Sequence, residues 1–360
     1  MRITRLKVEG LRCLAGTDFQ PNQGLNVFVG PNGAGKTSVL EAAYALGSGK
    51  SFRFGGADAL IERSRTALQV YAEVEMAGRS ERLGFERSRQ GWRAQRAGER
   101  VAELAELASL VPMVCFSPES HELISGGSEV RRRFYDWIVF HVEPSFVEAH
   151  RRYGRTLRQR NALLKRSPSK AELDVWTADL AHSGEALAAL RERSFGVFSI
   201  GMTELLLQLL SELGTAQIIH KRGWREGMSL HERLCMLEAR EREVGYTLAG
   251  PHRADWSVNF AERSIREHGS RGQQKLVAMA TVLIAAGMYR QARKEAPLVG
   301  LDDLASELDL EHQRRAVLAC AALGAQTWVT GTYASPALDA WNGDVGQFHV
   351  EHGQVFAAVG

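Results

Sequence analysis

The chain has 360 residues, 44% hydrophobic and 24% charged, a balance that excludes a disordered tail, a collagen-like chain and a disulfide-stapled miniprotein. With 45 basic and 42 acidic residues the net charge is +3, which excludes a uniformly basic protein that coats polyanions by bulk charge. Only 8 of the 45 basic residues are lysine. The arginine excess fits genome composition, and it also fits recognition of phosphates or carboxylates by the guanidinium fork. Four cysteines (Cys13, Cys115, Cys235, Cys320) are scattered without a C-x-x-C pair, which suits a reducing compartment and argues against a metal site. The N-terminus lacks the apolar core of a signal peptide. The longest apolar run, Leu276 to Tyr289, is too short to span a bilayer, so a cytoplasmic protein without membrane contact is expected.

Residues 1–30 alternate like strands, and Leu25 to Val29, bounded by Gly24 and Gly30, reads as a buried strand. A helix pattern follows from Thr37 to Leu46, then an antiparallel meander over 68–101. From 128 to 243 helix formers dominate, with breaks at Pro144, at Ser167 to Ser169 and at Gly223 to Gly227. Strand character returns around Thr247 and over Ala254 to Phe260. A long helix runs from Gln273 to Arg293, strands follow at Leu298–Leu301 and Gln326–Thr330, and Gln347 to Val355 reads as a hairpin around Gly353. One α/β unit thus starts at residue 1, is interrupted, and finishes at 360. The expected parts are an N-terminal head segment (1–127), a helical arm (128–243) and a C-terminal head segment (244–360).

Gly30, Pro31, Asn32, Gly33, Ala34, Gly35, Lys36 and Thr37 fit G-x-x-x-x-G-K-[ST], followed by Ser38, between an apolar strand and a helix. Glycines let backbone N–H groups turn inward around phosphate oxygens, and the helix N-terminus adds a positive dipole. Lys36 is expected to reach the β- and γ-phosphates of ATP, and the Thr37 hydroxyl to ligate Mg²⁺. Leu298 to Leu301 is an apolar strand ending in Asp302 and Asp303. Alone, two such aspartates read as a helix cap; beside a phosphate loop, Asp302 is expected to hold Mg²⁺, directly or through water, and Asp303 is placed to polarise the attacking water. Gly300 interrupts an otherwise apolar strand. Ser270, Gly272 and Gln273 open the long helix, either as a plain cap or as a second anion site facing a nucleotide held by another subunit.

With these motifs in order, the chain resembles the RecF family, recombination-repair ATPases with an ABC/SMC-like head. The resemblance covers essentially the whole chain. It adds Gly49 to Arg53, Phe116 to Glu119, Arg131 to Phe134 with Asp136, Gly250 to Asp255, Ser306 to Asp309, and Thr330 to Thr332. It implies an α/β ABC-type head, a P-loop mixed sheet plus antiparallel strands, interrupted by a mostly helical arm. It implies two molecules sandwiching two ATPs, each P-loop facing the partner's Ser270 segment, with Asp309 near the seam. It also implies action at single-strand/double-strand DNA junctions and gaps, with RecO- and RecR-like partners helping to load RecA. Thr330–Thr332 stand where ABC transporters carry a switch histidine, so weak, DNA-stimulated hydrolysis is expected. The spacing from Lys36 to Ser270 leaves room for a short arm and none for a long coiled-coil rod.

Between Arg131 and Arg166 ten basic residues face three acidic ones, a local balance of +7. Arg131, Arg132, Arg133, Arg151, Arg152, Arg155 and Arg158 are the candidate DNA-backbone contacts. Arg151, Arg155 and Arg158 are spaced for one helical face. A second run, Arg79 to Arg100, reads equally as a solvated strand face. No base-reading motif stands out, so little sequence specificity is expected. The competing reading is a nucleotide-switched protein-interaction ATPase whose arm binds proteins. A transporter subunit fits the long insertion and the missing switch histidine poorly.

Overall fold

A computed structural model describes residues 1–14, 16–53 and 57–358. The chain divides into two compact units, Met1–His121 with Lys275–Gly360, and Glu122–Gln274.

The first unit opens with β1 (Arg2–Glu9), β2 (Thr17–Phe19) and β3 (Leu25–Val29), then α1 (Lys36–Ser48). The meander follows as β4 (Ala67–Met76), β5 (Arg79–Ser88), β6 (Gly91–Arg96) and β7 (Glu99–Arg100), then α2 (Leu104–Leu110) and β8 (Met113–Phe116). The second unit contains α3 (Glu122–Ser125), α4 (Ser128–Val142), α5 (Phe146–Leu164), the forty-residue α6 (Lys170–Leu209), β9 (Ala216–Lys221), α7 (Leu230–Val244), β10 (Asp255–Phe260), β11 (Arg263–Ser264) and α8 (Ile265–His268). Then come α9 (Arg271–Arg293), β12 (Leu298–Leu301), α10 (Leu304–Glu307), α11 (Leu310–Ala322), β13 (Thr327–Gly331), β14 (Val345–Glu351) and β15 (Gln354–Ala357).

Two six-stranded sheets build the first unit. One, in the order β2-β1-β4-β5-β6-β7, is antiparallel and buries the alternating set Leu68, Val70, Ala72 and Val74. The other runs β15-β14-β3-β13-β12-β8; its neighbours from β14 to β8 are parallel and only β15 is antiparallel. The parallel core strands are buried on both faces, which is why 25–29 and 298–301 read as continuous apolar runs. Phe19, Phe28, Trp328 and Phe348 interlock around β3, with ring centroids 5.0–6.0 Å apart. Gly300 leaves room for its neighbours: a Cβ there would lie 2.9 Å from Met113 Cε and 3.0 Å from Cys115 Sγ, so those side chains would have to shift. The expected C-terminal hairpin is β14–β15.

The second unit joins helices to a three-stranded antiparallel sheet, β11-β10-β9. Sequence texture places the insertion at 128–243. The compact unit extends further at both ends: Arg131 holds the carbonyls of Ile124 and Gly126 at the start, and Asp255 to Phe260 pair residue for residue with Lys221 to Ala216 and carry the following segment with them. β9 interrupts a stretch whose composition predicts helix, and Thr247 is not in a strand. The Thr247 hydroxyl donates to Asn161 Oδ1 (2.7 Å) and accepts from Arg160 Nη1 (2.9 Å). Arg160 is itself fully buried against Glu241 at 2.7 Å. Ser169 and Ser229 start α6 and α7 with capping boxes closed by Glu172 and Glu232. No helix among the described residues is long and apolar enough to cross a membrane.

Candidate functional site

The loop after β3 enters α1 through Gly35, whose φ of +114° suits only glycine and whose absent Cβ leaves Cys13 Sγ room at 3.0 Å. Lys36 folds back over the loop, donating from Nζ to the carbonyls of Gly30 (2.8 Å) and Pro31 (2.9 Å). Burial lowers its pKa from the usual lysine value, while Asp303 and Asp302 pull it back up. Thr37 projects toward the end of β12 and donates from Oγ1 to Asp302 Oδ1 at 2.8 Å. Thr330, on the adjacent β13, donates to the same oxygen at 2.6 Å and accepts the Asp303 N–H at 2.9 Å. Asp302 is almost fully buried. Burial raises its pKa, and the bonds from Thr330 and Thr37 work in the opposite direction by favouring the carboxylate. Asp303 adopts a left-handed backbone, φ +52°, and accepts from Ser306 Oγ at 3.0 Å. Aspartate adopts this left-handed region more readily than most non-glycine residues.

A cavity of about 360 Å³ opens between Lys36, Thr37, Arg53, Glu119, Asp302 and Asp303. One wall is the amide-rich loop, another a hydroxyl–carboxylate pair, which together suit a polyphosphate and a hard cation. No group of three or more His, Cys, Asp or Glu residues able to hold a metal is found among the described residues. Thr37 and Asp302 bring two hard oxygens together, which fits an ion that draws its remaining oxygens from phosphate and water, as magnesium does.

Arg53, Ser117, Pro118, Glu119 and Thr330 also line the cavity; they belong to the family motifs, yet their sequence positions alone give them no role in the site. Arg53 Nε faces Glu119 Oε1 at 3.7 Å across the cavity, and Thr330 bridges the two aspartates. Their motifs carry the signal, but nothing in the spacing places them against the phosphate loop. Ser270, Gly272 and Gln273 are not among the described lining residues. Ser270 and Gln273 cap each other at the start of α9: Ser270 N donates to Gln273 Oε1 (2.9 Å) and Gln273 N to Ser270 Oγ (3.2 Å).

The candidate DNA arginines divide. Arg131 is buried and spent on Asp255 and backbone carbonyls, which corrects its reading as a phosphate contact. Arg132 donates to the Ala254 carbonyl at 2.7 Å, Arg133 pairs with Glu129 at 2.9 Å, and Arg152 pairs with Asp179 at 2.9 Å. Arg151, Arg155 and Arg158 are carried by α5; Arg151 and Arg155 are exposed, and no ion pair to Arg155 or Arg158 occurs among the described residues. In the second arginine run, Arg87 and Arg96 are paired with Asp58 and Glu81, as expected of a solvated strand face.

A phosphate loop on a parallel sheet, an acidic pair ending the strand two places along and a largely helical insertion define an ABC/SMC-like ATPase head. The family model described as RecF/RecN/SMC N terminal domain matches residues 2–353. The DNA replication and repair protein RecF of Stenotrophomonas maltophilia (strain R551-3) is 41% identical over 363 residues, covering 99% of this chain and 100% of the relative. That of Xanthomonas axonopodis pv. citri (strain 306) is 41% identical over 361 residues, 99% and 98%. The chain belongs to the RecF family. Among solved structures, the recombination mediator protein RecF with ATP shares the fold at a TM-score of 0.88, with 24% identity over 99% of this chain and 97% of the other. An Smc head bound to a winged-helix domain of ScpA shares it at 0.60, with 14% identity over 99% and 97%.

Proposed function

We propose that the protein is an ATP-dependent DNA-binding repair protein in which nucleotide binding closes a homodimer on DNA and slow hydrolysis releases it. The observation that carries this reading is the single oxygen of Asp302 shared by Thr37 and Thr330, in the lining of a cavity that also holds Lys36 and Asp303. Lys36 would exchange the loop carbonyls it now bonds for β- and γ-phosphate oxygens. Thr37 and Asp302 would hold magnesium, which when bound neutralises charge on the phosphates. Asp303, its carboxylate steadied by Ser306, would take the proton of the attacking water. The amide-bearing start of α9 at Ser270 would meet the nucleotide of a second copy. Arg151, Arg155 and Arg158 on α5 would contact the DNA backbone without reading bases. By resemblance to the RecF family, the proposed setting is gaps and single-strand/double-strand junctions, where RecO- and RecR-like mediators would assist RecA loading.

Lys36→Ala tests the nucleotide gate. It should lose ATP binding and stay monomeric by light scattering with ATP present, and dimerisation on ATP would overturn gating through this loop. Measuring wild-type turnover with and without gapped DNA separates the clamp from a protein-binding switch: stimulation supports the clamp, indifference the switch.

A further inference from the structure

Asp303 sits at the start of α10, a helix of one turn that is too short to hold itself. Its moorings lie at its two ends. At the start, Thr330 accepts the Asp303 N–H and Leu304 is buried. At the end, Glu307 turns Oε2 away from solvent and meets Lys275 Nζ at 2.8 Å. Lys275 rises from the first turns of α9, a helix of 23 residues whose Val277, Ala278 and Ala280 are fully buried, so the lysine is based on a rigid rod. It is also the next residue after the Ser270 to Gln274 segment.

We infer that the Lys275–Glu307 ion pair is a positioning device for hydrolysis, fixing the turn that aims Asp303 and tying that aim to α9. This rests on the ATPase reading above. Neither residue lines the phosphate cavity, so both act through Asp303 and not on the nucleotide. A mostly buried pair suits this role, because removing one partner leaves a charge with no compensation and the turn free to shift. A misplacement of about 1 Å in a reacting group costs up to roughly 100-fold in rate. The pair should therefore govern kcat while leaving ATP binding alone.

The test compares wild type, Lys275→Met, Glu307→Gln and the exchange Lys275→Glu/Glu307→Lys, each checked for a cooperative melting transition above the assay temperature. Steady-state ATP turnover and ATP-dependent dimerisation are measured on each. Both single variants should lose about 10-fold or more in kcat, with KM and the dimerisation midpoint within about twofold of wild type. The exchange should recover most of the loss. Singles that keep kcat, or that lose it only with an equal rise in KM, overturn the inference, as does an exchange that recovers nothing. Glu307→Gln keeps the shape of the turn, so a misfolded Lys275→Met would not remove the test. Absence of turnover in the wild type brings down the ATPase reading itself, a result distinct from equal turnover in all four proteins.

Discussion

Arg131 grips Asp255 through two parallel hydrogen bonds, Nε to Oδ1 at 2.7 Å and Nη2 to Oδ2 at 3.0 Å, across 124 residues of sequence. Its third nitrogen donates to the Gly126 carbonyl at 2.8 Å and the Ile124 carbonyl at 3.2 Å. Bidentate pairing of this kind fixes geometry as well as charge. Arg191 repeats the arrangement with Asp136, at 2.8 and 2.9 Å, and donates onward to the Pro251 carbonyl at 2.8 Å. Family motif residues of the second unit are thus joined in its scaffold. Arg131→Ala should destabilise the protein by about 3–5 kcal/mol, because Asp255 is left charged and unpaired. Urea unfolding measures this, and a destabilisation below about 1 kcal/mol would contradict the scaffold role.

Arg155 and Arg158 make the opposite case. Both are spaced for one face of α5, neither is buried, and the buried face of the helix is held by Tyr153, Thr156 and Arg160. Replacing both with alanine should leave stability nearly unchanged and flatten the slope of log DNA affinity against log salt by roughly 0.9 for each phosphate that is no longer neutralised. An unaltered slope would move the DNA-binding face off α5.

These two cases show what the sequence can and cannot express. The phosphate loop is legible because its residues are contiguous and its flanking strand and helix obey local periodicity. The parallel strands are legible because burial on both faces writes a continuous apolar run. Partner choice is not: a count of charges over Arg131–Arg166 records sign, whereas Asp255 and Glu241 lie far along the chain from the arginines they neutralise. Thr330 is visible as a motif, but its bridge between Asp302 and Asp303 depends on β13 lying beside β12, a tertiary fact. Gly300 looks like a flaw in the strand until Met113 and Cys115 occupy the space of its missing side chain.

His252 makes stability depend on pH. Its Nε2 lies 3.1 Å from the Thr247 carbonyl, which can only accept, so Nε2 carries the proton and Nδ1 accepts from the Tyr153 hydroxyl at 2.6 Å. That arrangement belongs to the neutral ring, the form that burial favours. Burial, helped by Arg253, Arg132 and Arg191, lowers its pKa from the usual 6.5 to about 4 against the opposing Thr247 bond. Between those values the unfolded chain binds a proton that the folded chain refuses. The stabilisation is fully present above pH 6.5 and is lost as pH falls toward 4, amounting to about 3 kcal/mol at most. His220 shifts in the same direction, chiefly through burial, then through Arg191 and Arg222. Urea midpoints at about pH 7.5 and pH 5 should differ less in His252→Gln than in wild type, and an equal difference would remove His252 as a contributor.

The tasks proposed for the neighbours Asp302 and Asp303 differ, and two amide variants should divide them. Asp302 uses one oxygen to accept from both Thr37 and Thr330, and an asparagine oxygen can accept the same two bonds, so Asp302→Asn should keep the local fold. It removes the negative charge that a magnesium ligand needs, so magnesium-dependent ATP binding and turnover should fall together. Asp303 points its carboxylate at Ser306 and contributes only its backbone N–H to the Thr330 bridge. Asp303→Asn should therefore bind ATP as wild type does, lose about 100-fold or more in kcat, and accumulate as the ATP-bound dimer. Nucleotide titration, steady-state turnover and light scattering on both variants read these outcomes. Unchanged turnover in Asp303→Asn would remove it as the water-activating group, and intact magnesium dependence in Asp302→Asn would move the metal ligand elsewhere.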